Sequence, residues 1–470
     1  MKKNTDKEFV IVTYVMLLLI LAMAAYFVYF LGFKSESFIN NSYNPRISSL
    51  SASVIRGDII SSDGKLLAET VVEKNDTERN YPEKNIYAHA VGYAGKGMGG
   101  IEKDYNFNLL RSHGFIIDRL GNEVLNNKNK GDTIVSTLDS KVQSEAYYGM
   151  DSYNGAVIAM EPDTGNIIAM VSKPDFDPNE IEINWENLSS ESSSAVLLNR
   201  TLNGLYPPGS TFKIVTALEY LREGGSGEDE FNCRGVISSD NMKIHCYNNK
   251  AHGNISFVQA FSKSCNTVFA DIGTQLDKDS FNNLLESLLF NKKLPTDISN
   301  TSKSRINITN ESNDALMMQI AIGQGDTLVT PIHMAMLASA IENNGALMKP
   351  RLVKEIRSFD NSYTDVIEAR EYGALISESE ADTIKEYMRQ VVENGTGKAL
   401  LDTEYTCYGK TGTAEFSDNK KSKAHSWFVG FAEYNGRQLA IAVIMEEAGA
   451  GGEYAAPLAK KVFDAYFNNP

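Results

Sequence analysis

The chain has 470 residues, 42% hydrophobic and 22% charged, with a net charge of −15 at neutral pH. This composition fits globular protein with a sizeable core, in about two to four domains. The acidic balance excludes a general nucleic-acid binder, which needs clustered cations against phosphate. The six histidines and four cysteines show no CxxC or HExxH spacing, so neither a metal site nor a cofactor is expected.

Residues 1–8 form a short tail carrying Lys2, Lys3 and Lys7. From Phe9 to Phe33 no residue is charged. As a helix, that run crosses a hydrocarbon layer of about 30 Å. The basic flank predicts a cytoplasmic tail, a transmembrane anchor over 9–33 and an external body from Lys34 onward. Ala22-Met23-Ala24 resembles a signal-peptide cleavage site, but the apolar run continues beyond it, longer than a removable signal needs.

Residues 34–150 read as a small mixed α/β, non-catalytic domain. Arg56-Gly57-Asp58-Ile59-Ile60 leads into Ser62-Asp63-Gly64-Lys65, a hairpin turn signal. The glycines of 92–100 predict a loop and do not match a phosphate-binding fingerprint. A second domain, 151–470, opens with the buried-strand pattern of Gly155 to Met160, a turn, and a returning strand from Ile167 to Val171. Residues 175–205 are polar and predict a loop-rich excursion. A helix is expected from about Ser210 to Arg222, because the double proline at 207–208 cannot lie inside one and Gly224-Gly225 stops it. Helical patterns recur at about 256–273, 331–343 and 379–394. Strands follow over Cys407–Glu415, Trp427–Tyr434 and Gln438–Met445, the last two joined at Asn435-Gly436. A final helix is expected over Ala455–Phe467. The expected class is α+β.

Three short motifs carry chemistry. In Ser210-Thr211-Phe212-Lys213, residues three apart share a helix face, so the lysine amine can approach the serine hydroxyl. A serine becomes nucleophilic when a neutral amine takes its proton, and burial or a nearby cation keeps the amine neutral. A helix N-terminus favours negative charge developing on an attacked carbonyl oxygen. Ser62–Lys65 and Ser417–Lys420 have the same spacing, but in turns or loops it has no helical meaning. The second motif is Ser264-Cys265-Asn266: the hydroxyl can relay a proton and the amide can bind a substrate amide. Ser42-Tyr43-Asn44 and Ser152-Tyr153-Asn154 match it by chance. The third, Lys410-Thr411-Gly412-Thr413, sits on an expected strand. There the lysine and both threonines can hold a carboxylate, and Gly412 allows close backbone approach. Lys410 is also expected to lower the Lys213 pKa by like charge.

Ser-x-x-Lys, then Ser-x-Asn 54 residues on, then Lys-Thr-Gly a further 146 residues on, is the order of the penicillin-recognising serine enzymes. The chain resembles the class B penicillin-binding proteins, including the short PbpA-like members, over nearly its whole length. Arg56–Ile59 with Asp63-Gly64 and Leu67-Ala68 resembles their opening motif. Tyr206–Gly209 resembles the active-site approach, Tyr408–Glu415 the substrate strand, and His425–Gly430 the strand after it. The resemblance implies a penicillin-binding, serine β-lactamase-like transpeptidase domain, an antiparallel sheet flanked by helices, above a membrane helix and a small pedestal domain. It implies Ser210 as acylated nucleophile, Lys213 as general base, and Ser264 and Asn266 as aids to proton transfer and substrate binding. Lys410, Thr411, Gly412 and Thr413 would bind the substrate's terminal carboxylate, with the backbone N–H groups of Ser210 and Thr413 as oxyanion hole.

The implied reaction is attack on the D-Ala-D-Ala bond of a peptidoglycan stem peptide, with β-lactams as inhibitors. The implied partner is a separate membrane glycan polymerase of the RodA/FtsW type, since about 120 residues before the catalytic domain leave no room for a glycosyltransferase with its linker. A D,D-carboxypeptidase, a β-lactamase and a non-catalytic scaffold or sensor are the other readings. No Glu-x-x-x-Asn stretch between Asn266 and Lys410 is placed to activate water as a β-lactamase requires. A Cys233–Cys246 disulfide is permitted outside the cell. Cys265 and Cys407 read as packed residues, His252 and His425 as packing or hydrogen-bonding groups, and Trp427 and Phe428 as core.

Overall fold

The computed structural model describes residues 3–33, 54–73, 76–95, 97–125, 127–190, 195–239, 242–415 and 423–468. Lys3–Phe33 is one helix. Its apolar stretch Lys7–Phe30 is long enough to cross a membrane, and its most apolar window is not buried within the protein. A long apolar surface left exposed needs lipid, and the helix is read as a single-pass membrane anchor.

Beyond the anchor lies a six-stranded sheet, ordered Thr364–Val366, Val353–Arg357, Thr133–Ser136, Ile59–Ile60, Leu66–Glu73 and Asp76–Asn80. Its first two strands come from late in the chain, so this layer is stitched to the later part of the chain by main-chain pairing as well as by connection. The Asp63-Gly64 turn is present: Ser61 N–H donates to Lys65 O at 2.9 Å, and Gly64 holds φ +86. The Arg56-Gly57-Asp58 signal is a joint. Arg56 and Arg79 both grip the fully buried Glu102 carboxylate, Arg79 at 2.7 Å, and Asp58 pairs with Lys130 at 2.5 Å. A lone buried carboxylate would be costly; two guanidiniums and the Tyr81 hydroxyl at 3.2 Å satisfy it.

The rest of the chain is built on a five-stranded antiparallel sheet, ordered Thr406–Ala414, His425–Tyr434, Arg437–Met445, Gly155–Met160 and Ile167–Lys173. The unbroken apolar runs of its inner strands follow from burial on both faces. Ala156, Ile158, Ile444 and Trp427 join the core shared with the helix Pro331–Glu342, every residue of which is buried. Val157, Ala159, Val443 and Phe428 join a second core with the helices Ser140–Gly149 and Ala455–Phe467. Alternate residues of each strand therefore serve opposite layers. Asn435 and Gly436, at φ +50 and +78, close the expected hairpin.

One expectation is refined and one corrected. The loop-rich segment 175–205 carries a helix, Ile181–Leu188, that packs beside Tyr93 and Phe176. The helix expected over 256–273 is two, Phe257–Ser262 and Asn266–Gln275, broken at Lys263-Ser264-Cys265.

Candidate active site

The break at 263–265 is a helix C-cap. Ser264 N–H donates to Phe261 O at 3.1 Å and Cys265 N–H to Ala260 O at 2.8 Å, with Ser264 at φ +56. This pair of bonds is the Schellman arrangement, whose left-handed residue is ordinarily glycine. Serine there carries strain of about 1 kcal/mol. The turn swings the Ser264 and Asn266 side chains to one side, which an unbroken helix would not do.

Ser210 lies in a 3₁₀ turn, Gly209–Phe212, that runs directly into the helix Lys213–Arg222. In a 3₁₀ turn residues three apart stand one above the other, and Lys213 follows this turn directly as the first residue of the helix, three positions after Ser210. The approach to Ser210 is fastened at several points. Tyr206 and Val329 exchange two main-chain bonds at 3.0 and 2.8 Å, and Gly209 N–H donates to Gly323 O at 2.8 Å. Trp427 Nε1 donates to Pro207 O at 3.0 Å, and the Tyr206 hydroxyl to Glu446 at 2.7 Å. Gly209 holds φ +52, and a Cβ there would lie 2.8 Å from Thr413 O, so only glycine lets the turn carrying Ser210 rest on the strand Thr406–Ala414.

Lys213 is fully buried. Its Nζ donates to Ser264 O at 2.8 Å, to Ser264 Oγ at 3.2 Å and to Asn266 Oδ1 at 2.7 Å. Burial pulls its pKa down to about 7, so a large neutral fraction exists at physiological pH. Lys410 is equally buried, its Nζ donating to Thr411 O at 3.2 Å over the Phe261 ring. Burial lowers its pKa well below the usual lysine value, and the Lys213 charge lowers it further. The like-charge effect expected on Lys213 thus registers on Lys410; desolvation is what lowers Lys213.

Ser210, Ser264, Asn266, Thr411, Thr413 and His425 line one open cleft. The strand Thr406–Ala414 is the edge of its sheet, with main-chain groups available to an added strand. Gly412 faces away from the cleft: a Cβ there would meet Trp427 Cβ at 2.9 Å and Pro208 O at 3.0 Å. It lets the strand press against the nucleophile's approach rather than making room for a ligand. Sequence reading missed Thr396, whose hydroxyl lies 2.5 Å from that of Thr411. It also missed Trp427 as the clamp on Pro207; the indole was read as core alone. Thr396 stands in no motif, and Trp427 lies within the His425–Gly430 stretch, whose resemblance assigns it no role. Of the chance matches, Ser62–Lys65 forms a turn and Ser152–Asn154 precedes a strand. Ser42–Asn44 and Ser417–Lys420 lie outside the described residues.

The family model for the penicillin binding protein transpeptidase domain matches residues 155–464. The chain belongs to this family. A second model, the penicillin binding protein A dimerisation domain, matches residues 56–134, and the two together mark a class B penicillin-binding protein. This penicillin-binding protein is 28% identical over 436 residues to the peptidoglycan D,D-transpeptidase PbpA of Mycolicibacterium smegmatis, across 86% of this chain and 88% of that one. It is 29% identical over 453 residues to the peptidoglycan D,D-transpeptidase MrdA of Acinetobacter baumannii, across 82% of this chain and 65% of that one. The fold is also that of penicillin-binding protein A from M. tuberculosis in its imipenem acyl-enzyme complex. That likeness has TM-score 0.80 and 26% identity, covering 88% of this chain and 99% of the other.

Proposed function

We propose that this protein is a peptidoglycan D,D-transpeptidase that cross-links stem peptides through a Ser210 acyl-enzyme and is inhibited by β-lactams. The observation that carries the reading is the buried Lys213 amine, pKa about 7, held by Ser264 and Asn266 one turn from Ser210 beside an edge strand. Its neutral form takes the Ser210 proton as the hydroxyl oxygen bonds to the penultimate D-Ala carbonyl carbon. The oxyanion forms against the N–H groups of Ser210 and Thr413. The proton then passes, with Ser264 as relay, to the departing D-Ala amine as the peptide bond breaks. An amine from a neighbouring strand resolves the ester by the reverse sequence. Thr411 and Thr413 reach the cleft and bind the donor's carboxylate. Lys410 acts from beneath them, and an arriving carboxylate favours its charged form.

The domain division proposed is tail 1–8, anchor 9–33, non-catalytic domain 34–150 and transpeptidase domain 151–470. The anchor would place the catalytic part outside the cell membrane, as the lysines before it favour. A RodA/FtsW-type membrane glycan polymerase would supply the strands.

Labelling with fluorescent penicillin, wild type against Ser210→Ala, followed by mass mapping of the adduct, tests the nucleophile. Labelling that survives Ser210→Ala would falsify it. Rapid β-lactam hydrolysis would make the protein a β-lactamase, and D-Ala release without strand joining would make it a carboxypeptidase.

A further inference from the structure

We propose that Cys233, Cys246, His252 and Cys265 bind a structural zinc ion that ties two small two-stranded sheets to the Ser264/Asn266 motif. Three of the four cysteines in the chain converge here with one histidine, and their ligand atoms all lie within 4.8 Å of one another. Cys233 Sγ and Cys246 Sγ are 3.7 Å apart, Cys246 Sγ and Cys265 Sγ 3.7 Å, and Cys233 Sγ and His252 Nδ1 3.3 Å.

A tetrahedral ion with Zn–S bonds of about 2.3 Å and a Zn–N bond of about 2.1 Å has S···S edges of about 3.8 Å and S···N edges of about 3.6 Å. The two S···S separations of 3.7 Å match those edges, the S···N separation of 3.3 Å is slightly shorter, and all the ligand atoms lie within 4.8 Å of one another. A disulfide requires about 2.05 Å and would leave one thiol of the three without a partner. Three thiolates and an imidazole form a closed, soft donor set, the composition of structural rather than catalytic zinc sites.

The surroundings suit thiolates. His252 N–H donates to Cys233 Sγ at 3.4 Å and Thr267 Oγ1 to the same sulfur at 3.1 Å. Thr267 Oγ1 also lies 3.4 Å from Cys265 Sγ and 3.6 Å from Cys246 Sγ. Such outer-shell hydrogen bonds orient ligands and spread their charge.

The topology says what the ion would do. Cys233 ends the strand Glu230–Cys233, Cys246 follows Met242–His245, His252 precedes Gly253–Ser256, and Cys265 caps the helix Asn266–Gln275. These strands are four residues long and form two-stranded sheets, marginal alone in water. One ion would cross-link both sheets to the helix cap. His245, next to Cys246, offers its carbonyl to Asn266 Nδ2 at 2.9 Å, so the clip also braces an active-site amide. The ligands are separated in sequence by 13, 6 and 13 residues. This fits no short motif, so the expectation of no metal site followed from spacing that the fold overrides.

The test uses the full chain in detergent, purified without chelator and then dialysed against zinc alone. The expected result is one zinc per chain by mass spectrometry, replaced by cobalt(II) with thiolate charge-transfer absorption. Zinc affinity should fall at least about tenfold in His252→Ala. Should that variant misfold, the wild type decides: its three clustered thiols should resist alkylation until a chelator is added. Mapping of a Cys233–Cys246 disulfide without zinc, or free reactive thiols with no zinc uptake, would overturn the proposal.

Discussion

Lys213 Nζ donates to the main-chain oxygen of Ser264 at 2.8 Å, and that oxygen belongs to a residue held at φ +56. The amine proposed as base is thus seated on a serine that occupies a glycine's place in its helix cap. Strain stored there is compensated by what the side chain does. Ser264→Gly should relieve it, leaving the melting temperature unchanged or raised by the equivalent of about 0.5–1 kcal/mol. The same variant should lower the rate of acylation by penicillin about 10²-fold through loss of the relay. Calorimetry and stopped-flow labelling on one preparation check both.

Acylation should rise with pH through about 7 and level off above it, because only the neutral amine accepts the serine proton and burial sets its pKa at about 7. Asn266 Oδ1, an acceptor 2.7 Å from Nζ, favours the ammonium. Asn266→Ala should therefore move the acid limb to lower pH. A limb that stays in place, or moves up, would assign it to another group.

Trp427→Phe keeps the apolar ring in the core but removes the bond from Nε1 to Pro207 O, 3.0 Å long. Loss of that bond and of some packing should cost about 2 kcal/mol of stability. It should also slow acylation, since the Pro207 segment leads directly into Ser210. Urea unfolding and penicillin labelling measure the two effects. An unchanged acylation rate would mean the main-chain bonds of Tyr206 and Gly209 suffice to place the nucleophile.

Glu342 is buried at the end of its helix, 2.8 Å from Lys385, which also reaches Glu433 at 3.3 Å. Burial raises its carboxyl pKa from 4.5 to about 7, whereas the unfolded chain titrates near the ordinary value. Between those pH values the folded state binds more protons than the unfolded, so stability should fall as pH rises from about 4.5 to about 7. The loss should be on the order of 2 kcal/mol. Lys385, shifted upward from an already high value, stays charged throughout and adds nothing to that slope. Glu342→Gln should flatten the profile, as thermal melts across this range will show.

Local patterns made the strands at Gly155–Met160 and Arg437–Met445, the Asn435-Gly436 hairpin and the last helix legible, because turn residues and unbroken apolar runs constrain the backbone nearby. The three motifs were likewise visible as short strings. The break at Ser264 was not. An apolar pattern compatible with one long helix ran through it, and the cap lacks the glycine that would have marked it.

The sequence by itself determined the anchor, the places of the main catalytic-domain strands along the chain and the identity of the chemical groups, since each rests on residues close together in the chain. Tertiary structure alone decided that burial rather than Lys410 lowers the Lys213 pKa, and that Trp427 clamps Pro207. It alone brought three cysteines and a histidine to one point. Desolvation and metal-ligand geometry depend on what folds against a residue from far along the chain, and no local pattern records that.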